Sequence, residues 1–173
     1  MHAVPSPKIE PDQCSGLVVV GLDGSPASQR ALEWAVQEAE AKGAAILAIS
    51  TYQTPTLVSA APYPAWSPAL DQGLADGAQK ILASAISAAT REHPKVEIKT
   101  KVVEGLAASV LIEASRLASA LVVGSRGHGG MVGSLLGSVS HRCVAHASCP
   151  VVVVGPEAHL ETARSCPPPG PQA

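Results

Sequence analysis

Five short apolar runs alternate along this chain with segments of helical periodicity. That alternation predicts an α/β fold, a five-stranded parallel, doubly wound sheet with helices on both faces. Composition agrees. Apolar residues make up 46% of the chain while aromatics supply 2% and phenylalanine is absent. The core must then be built from Ala, Val, Leu and Ile, as is usual for parallel sheets covered on both sides. At 173 residues the chain suits one domain.

Each element has its own justification. Leu17–Gly21 is a short apolar run bounded by turn residues, hence a buried strand. Ser25 caps a helix with Pro26 at its first position, and Gly43 ends it. The stripe of that helix is Leu32, Ala35, Val36 and Ala39. Ala45–Tyr52 is a second strand. Leu74, Ala78, Ile81, Leu82, Ala85, Ile86 and Ala89 then recur at helical spacing. Val96, Ile98 and Val102 alternate with polar residues, which suits a strand exposed on one side or at an edge. Leu106–Ala118 is helical through Val110, Leu111, Ala114 and Leu117. Ala120–Val123 is the fourth strand, Ser138–Ala147 the last helix and Val151–Val154 the fifth strand.

Prolines concentrate in residues 1–11, 55–68 and 156–171. The expected organisation is a flexible tail over residues 1–15, a folded domain over 16–155 and a Pro-rich tail over 156–173. The middle cluster is a long connection, either a functional lid or an insert. A net charge of −2 offers no electrostatic footprint for nucleic acid. No apolar run reaches the length of a membrane span. The first residues lack the basic and apolar regions of a signal peptide, so a cytoplasmic location is expected.

The most informative stretch follows the fourth strand. Six of the fifteen glycines lie between Gly124 and Gly137. It reads Gly124-Ser125-Arg126-Gly127, nine residues, then Gly137-Ser138-Val139-Ser140. Glycines let the main chain approach a ligand closely, and a helix N-terminus adds unpaired donors and a partial positive charge. Such a loop either simply turns the chain or cradles a phosphate. There is no Gly-Lys-Ser/Thr ending, no G-x-G-x-x-G and no G-x-S-x-G. Those absences exclude a Walker A loop, the dinucleotide fingerprint and a hydrolase nucleophile elbow.

Gly-x-x-Gly, nine residues, Gly-Ser resembles the ATP-binding signature of the universal stress protein family. The resemblance continues upstream in Val18-Val19-Val20-Gly21-Leu22-Asp23-Gly24-Ser25 and downstream in His146-Ala147-Ser148-Cys149-Pro150-Val151-Val152-Val153. It covers about Gly16 to Gly155. The resemblance implies strand order 3-2-1-4-5, which makes the first and fourth strands neighbours where the winding reverses. Ligands of open α/β sheets bind beyond the carboxyl ends of the strands at such a reversal.

By the same resemblance the ligand is an adenine nucleotide, ATP with or without magnesium, and its site is made of Asp23, Thr51, Gly124, Arg126, Gly127, Gly137, Ser138, Val139 and Ser140. Gly127, Gly137 and Ser138 are expected to turn N–H groups toward phosphates, with the Ser138 and Ser140 hydroxyls as further donors. Arg126 is either a phosphate partner or a solvated loop residue. Asp23 either faces the ribose or a phosphate-bound cation, or caps the next helix. Thr51 stands where the family often has histidine, and Ser119 where many members carry aspartate.

Other chemistries fit less well. His141-x-Cys143-x-x-His146-x-x-Cys149 has the look of a zinc site, but these residues do not share one helix face. A phosphorelay receiver needs an acceptor Asp after the third strand and a Lys after the fifth, where this chain has Val103-Glu104-Gly105 and Gly155-Pro156. The chain reads as a nucleotide-binding regulator or sensor and not a dedicated enzyme. A weak ATP-hydrolysing or adenylyl-transferring enzyme and a cyclic-AMP sensor are the alternatives. In the implied order the fifth strand lies at a sheet edge, so a homodimer through Val151–Val154 is expected.

Overall fold

The computed structural model describes residues 16–54, 68–127 and 136–155. Its elements are β1 (Leu17–Gly21), α1 (Pro26–Lys42), β2 (Ala45–Tyr52), α2 (Pro68–Glu92), β3 (Ile98–Glu104), α3 (Ala107–Ala114), a 3-10 turn (Ser115–Leu117), β4 (Ala120–Gly124), α4 (Ser138–His146) and β5 (Val151–Val154). The five strands form one all-parallel sheet in the order β3-β2-β1-β4-β5. The fold class is the one the alternation of elements predicts, and the strand order is the one the resemblance implies. The proline cluster and both tails lie largely outside the described residues.

Two apolar layers sandwich the sheet. On one face Val18, Val20, Ile46, Ala48 and Val122 pack under α1 and α2, through Ala31, Leu32, Ala35, Val36 and Leu82. On the other, Val19, Leu47, Ile49, Leu121 and Val123 pack under α3 and α4, through Leu111, Ala114 and Cys143. Alternation along each strand sends neighbours to opposite layers. Because both layers are covered, the central strands are apolar throughout. β3 is an edge strand, and its inner half is only partly covered, as its alternation suggests.

Local chemistry sets the helix ends. The Ser25 hydroxyl accepts the Ser28 N–H at 3.2 Å, Pro26 opens the first turn, and Gly43 closes α1 in the left-handed region at φ 64°. Two expected ends shift. The helix expected over Leu106–Ala118 stops at Ala114. Beyond it Ser115 donates to the Ile112 carbonyl at 2.6 Å and accepts the Ser148 N–H at 2.9 Å, a side-chain exchange that tightens the backbone into the 3-10 turn. The last helix ends at His146, one residue early, because Ala147 is extended at ψ 150°.

Candidate functional site

Register brings several turns to one edge of the sheet. Val20 pairs with Val122, Gly21 with Ile49, Tyr52 with Glu104 and Gly124 with Val154. The chain therefore leaves β1, β2, β3 and β4 at the same carboxyl edge. The winding reverses between β1 and β4, with α1 departing to one face and α4 returning on the other. In open α/β sheets this junction is where ligands bind.

The turn after β1 is built around Asp23. One of its carboxylate oxygens accepts the Ser25 N–H at 2.9 Å, and Gly24 adopts φ +83°, a conformation L side chains rarely take. Asp23 thus performs the turn role that was one of its two expected tasks, yet it remains exposed. Its other oxygen lies against Gly127, where a Cβ would overlap it. The acidic turn and the glycine loop are therefore in direct contact, although far apart in sequence.

Ser125 ties the glycine loop together. Its N–H donates to the Val154 carbonyl at 2.7 Å, anchoring the exit of β4 to β5. Its own carbonyl accepts the Gly137 N–H at 2.7 Å and the Ser140 hydroxyl at 3.0 Å. The two ends of the loop are pinned to one oxygen, which places the start of α4 beside Gly127. Two expectations change here. The Gly137 N–H is committed to the loop instead of facing a ligand, and the buried Ser140 hydroxyl is likewise turned to Ser125 and to the Gly137 carbonyl at 3.0 Å. The intervening residues, His128 included, lie outside the described set.

The donors that remain are those of the helix itself. The first rung of α4 runs from the His141 N–H to the Gly137 carbonyl at 2.9 Å. The N–H groups of Ser138, Val139 and Ser140 precede it and have no acceptor within the helix. Gly137, as N-cap, offers no side chain to satisfy them. Ser138 is exposed, while Val139 packs into the second apolar layer and holds the helix in place. The result is a rigid patch of backbone donors with partial positive charge next to Gly127 and Asp23. Arg126 is half-buried between them in sequence, and its carbonyl lies 3.5 Å from the Ser25 hydroxyl.

At Gly124 and Gly127 glycine is needed for room and not for a positive φ. Gly124, Gly127 and Gly137 all have negative φ. At Gly124 a Cβ would meet the backbone of Ala27 and Ser28 at 2.9 Å, so β4 and the first turn of α1 touch there. At Gly137 the nearest atom would be 3.4 Å away, an ordinary contact. Thr51 stands at the end of β2, half-buried, paired in register with Val103. Ser119 donates to the Leu17 carbonyl at 2.9 Å, at the opposite end of the sheet from the cleft.

The zinc-like residues do not converge. Cys143 is fully buried, and His141 and His146 are exposed. Among the described residues no three His, Cys, Asp or Glu side chains are grouped to hold a metal ion. Burial pushes the Cys143 thiol up to about 11, so it stays protonated and acts as a small apolar core residue. Among the described residues no helix is long and apolar enough to cross a membrane.

Sequence reasoning missed Ser125, whose importance lies in a carbonyl and hence carries no residue-type signal. It also placed Leu106 as the first residue of the α3 helix, whereas the helix begins at Ala107 and Leu106 is its exposed N-cap.

Comparison with known proteins bears on the whole of this unit. The model of the universal stress protein family matches residues 17–155. A universal stress protein of Mycobacterium tuberculosis is 36% identical over 138 residues, which are 79% of this chain and 43% of that protein. One from Mycolicibacterium smegmatis is 34% identical over 139 residues, 80% of this chain and 45% of its own length. The chain spans less than half the length of these curated relatives. Among solved structures, a universal stress protein in complex with cAMP is 28% identical with a TM-score of 0.60, covering 82% of this chain and 97% of that one. A universal stress protein from Lactobacillus plantarum has a TM-score of 0.62 at 22% identity, over 81% of this chain and 97% of its own, a likeness of fold. With β1, the glycine loop and β5 all inside the matched span, the chain belongs to the universal stress protein family.

Proposed function

We propose that this chain binds an adenine nucleotide, ATP foremost, at the carboxyl edge between β1 and β4. In this reading it acts as a stress-response regulator or sensor in the cytoplasm and not as a dedicated enzyme. The observation that carries the reading is the uncapped start of α4, held beside Gly127 and Asp23 by the doubly bonded Ser125 carbonyl. The Ser138, Val139 and Ser140 N–H groups would take the phosphates, and Arg126 a phosphate oxygen. Asp23 would meet the ribose hydroxyls or a magnesium ion on the phosphates. The relative solved with cAMP supports an adenine base, and makes a cyclic nucleotide the competing ligand. Dedicated phosphoryl transfer requires a positioned metal, a group that orients the nucleophile and a cation on the transferred phosphate. The cleft supplies a cradle and the Asp23 carboxylate, which suits binding better than turnover; slow hydrolysis is the competing reading.

Calorimetry with ATP, ADP, cyclic AMP and GTP tests this. A micromolar dissociation constant for ATP is expected, with thermal stabilisation to match, because a ligand that favours the folded state must raise stability. Absence of heat and of stabilisation with every adenine nucleotide would sink the reading. Tighter binding of cyclic AMP than of ATP would reassign the ligand.

A second part of the proposal is a homodimer through β5. This strand is an apolar sheet edge, with Val151, Val152 and Val153 only half-buried. The Pro150 and Val154 carbonyls accept the N–H groups of Leu121 and Ser125 at 2.9 and 2.7 Å, so the alternate residues Val151 and Val153 turn their backbone groups outward. An apolar edge of this kind invites pairing with a second copy about a two-fold axis. Val153→Pro removes an outward N–H without breaking a rung to β4. It should shift a dimer toward monomer in light scattering at micromolar protein while ATP binding persists. Parent protein that runs as a 17.5 kDa species would rule the dimer out.

A further inference from the structure

Leu106 breaks two local rules at once. It is the N-cap of α3, where Ser, Thr, Asp or Asn would accept an N–H of the first turn, and it makes no side-chain cap bond. It is also 53% exposed. Among the described residues Leu106 and Val144 are the large apolar side chains left in solvent, and Val144 lies well down α4 from its start. A single exposed leucine is unremarkable by itself. One that also forgoes a helix cap departs from two local preferences at the same position, and such departures concentrate at functional positions.

Its location says what the departure serves. The Gly105 N–H donates to the Tyr52 carbonyl at 2.8 Å, and the Thr54 hydroxyl to Glu104 at 3.0 Å. These bonds fasten the β3–α3 turn to the end of β2, so Leu106 stands next to the strand end that carries Thr51. By alternation Thr51 follows Leu47 and Ile49 onto the face covered by α3 and α4, the side on which α4 begins. Neighbouring strands are about 4.8 Å apart, so three steps separate the end of β3, which Leu106 follows, from the end of β4 by roughly 14 Å. A nucleoside triphosphate lying along the edge spans a distance of that order, so phosphates held at α4 would leave its base within reach of β2 and β3.

We propose that Leu106 is the apolar wall of the base subsite, set across from Thr51, an inference that rests on the adenine-nucleotide reading above. Burying the flat face of a base against Leu106 removes apolar surface of both from water. The residue thereby confers affinity for the base, independent of the phosphate donors.

Leu106→Ser and Leu106→Met distinguish this from a structural role. Serine at the N-cap should raise the melting temperature of the free protein. It should weaken ATP binding about tenfold, a loss that corresponds to part of one buried leucine. Tripolyphosphate, measured as a competitor of ATP, should keep its parental affinity in Leu106→Ser. Leu106→Met should bind ATP within about twofold of the parent, since it restores apolar bulk. ATP affinity in Leu106→Ser within twofold of the parent would overturn the proposal, as would an equal loss for tripolyphosphate. A parent protein that binds tripolyphosphate as tightly as ATP removes the base subsite alone, whereas one that binds neither removes the nucleotide reading and Leu106 with it.

Discussion

Gly127→Val should lose ATP binding altogether in calorimetry while melting within a few degrees of the parent. A side chain at this position would project where the Asp23 carboxylate now lies. The obstacle is one oxygen at the far end of an exposed side chain, and a small turn of the carboxylate about its bond to the Ser25 N–H relieves the overlap without moving the backbone. The cleft cannot be spared in the same way. In the proposed reading valine and the displaced carboxylate would take up room that the phosphates need, and the Ser138, Val139 and Ser140 N–H groups act only where phosphate oxygens reach hydrogen-bonding distance. A Gly127→Val protein that binds ATP like the parent would reduce the loop to a connection. Should the variant melt far below the parent, Ser138→Ala tests the same end of α4 by removing an exposed hydroxyl and nothing from the core.

Gly124→Ala should do the reverse. The added methyl would sit 2.9 Å from the backbone carbon of Ala27 and 2.9 Å from the nitrogen of Ser28. Neither can rotate away, since α1 begins there with its Ser25 cap and its buried Ala27, Ser28 and Ala31. Relief requires the helix to lift from the sheet. Overpacking of this kind costs about 2–3 kcal/mol, or roughly 5–10 °C in melting temperature for a domain of this size. Thermal denaturation followed by circular dichroism measures it. A melting temperature unchanged from the parent would show that β4 and α1 have room to separate. Gly124 was expected to belong to the ligand site, and its contact with α1 gives it a packing task that accounts for the glycine without a ligand.

The contrast between these two glycines shows where sequence reading stops. Both are the same residue in the same motif, three positions apart, and both have ordinary negative φ. Only the identity of the neighbour across the fold, a side-chain carboxylate for one and a helix backbone for the other, separates binding from stability. Ser140 makes the same point. Its residue type and position at the start of α4 suggested a ligand donor, but register places the Ser125 carbonyl 3.0 Å away, and the hydroxyl is consumed there.

By itself the sequence determined what depends on near neighbours in the chain. β1, β2 and β5 have the bounds read from their apolar runs, and α1 runs from Pro26 to just before Gly43, because periodicity, proline and caps act over a few residues. The glycine spacing likewise marked the stretch that meets Asp23. Tertiary structure alone decided which polar groups remain free for a ligand. Hydrogen-bond partners such as Ser125 with Gly137, or Gly105 with Tyr52, are chosen by strand order and register. Those arise from burying two apolar layers at once, a condition on the whole chain that no local segment records.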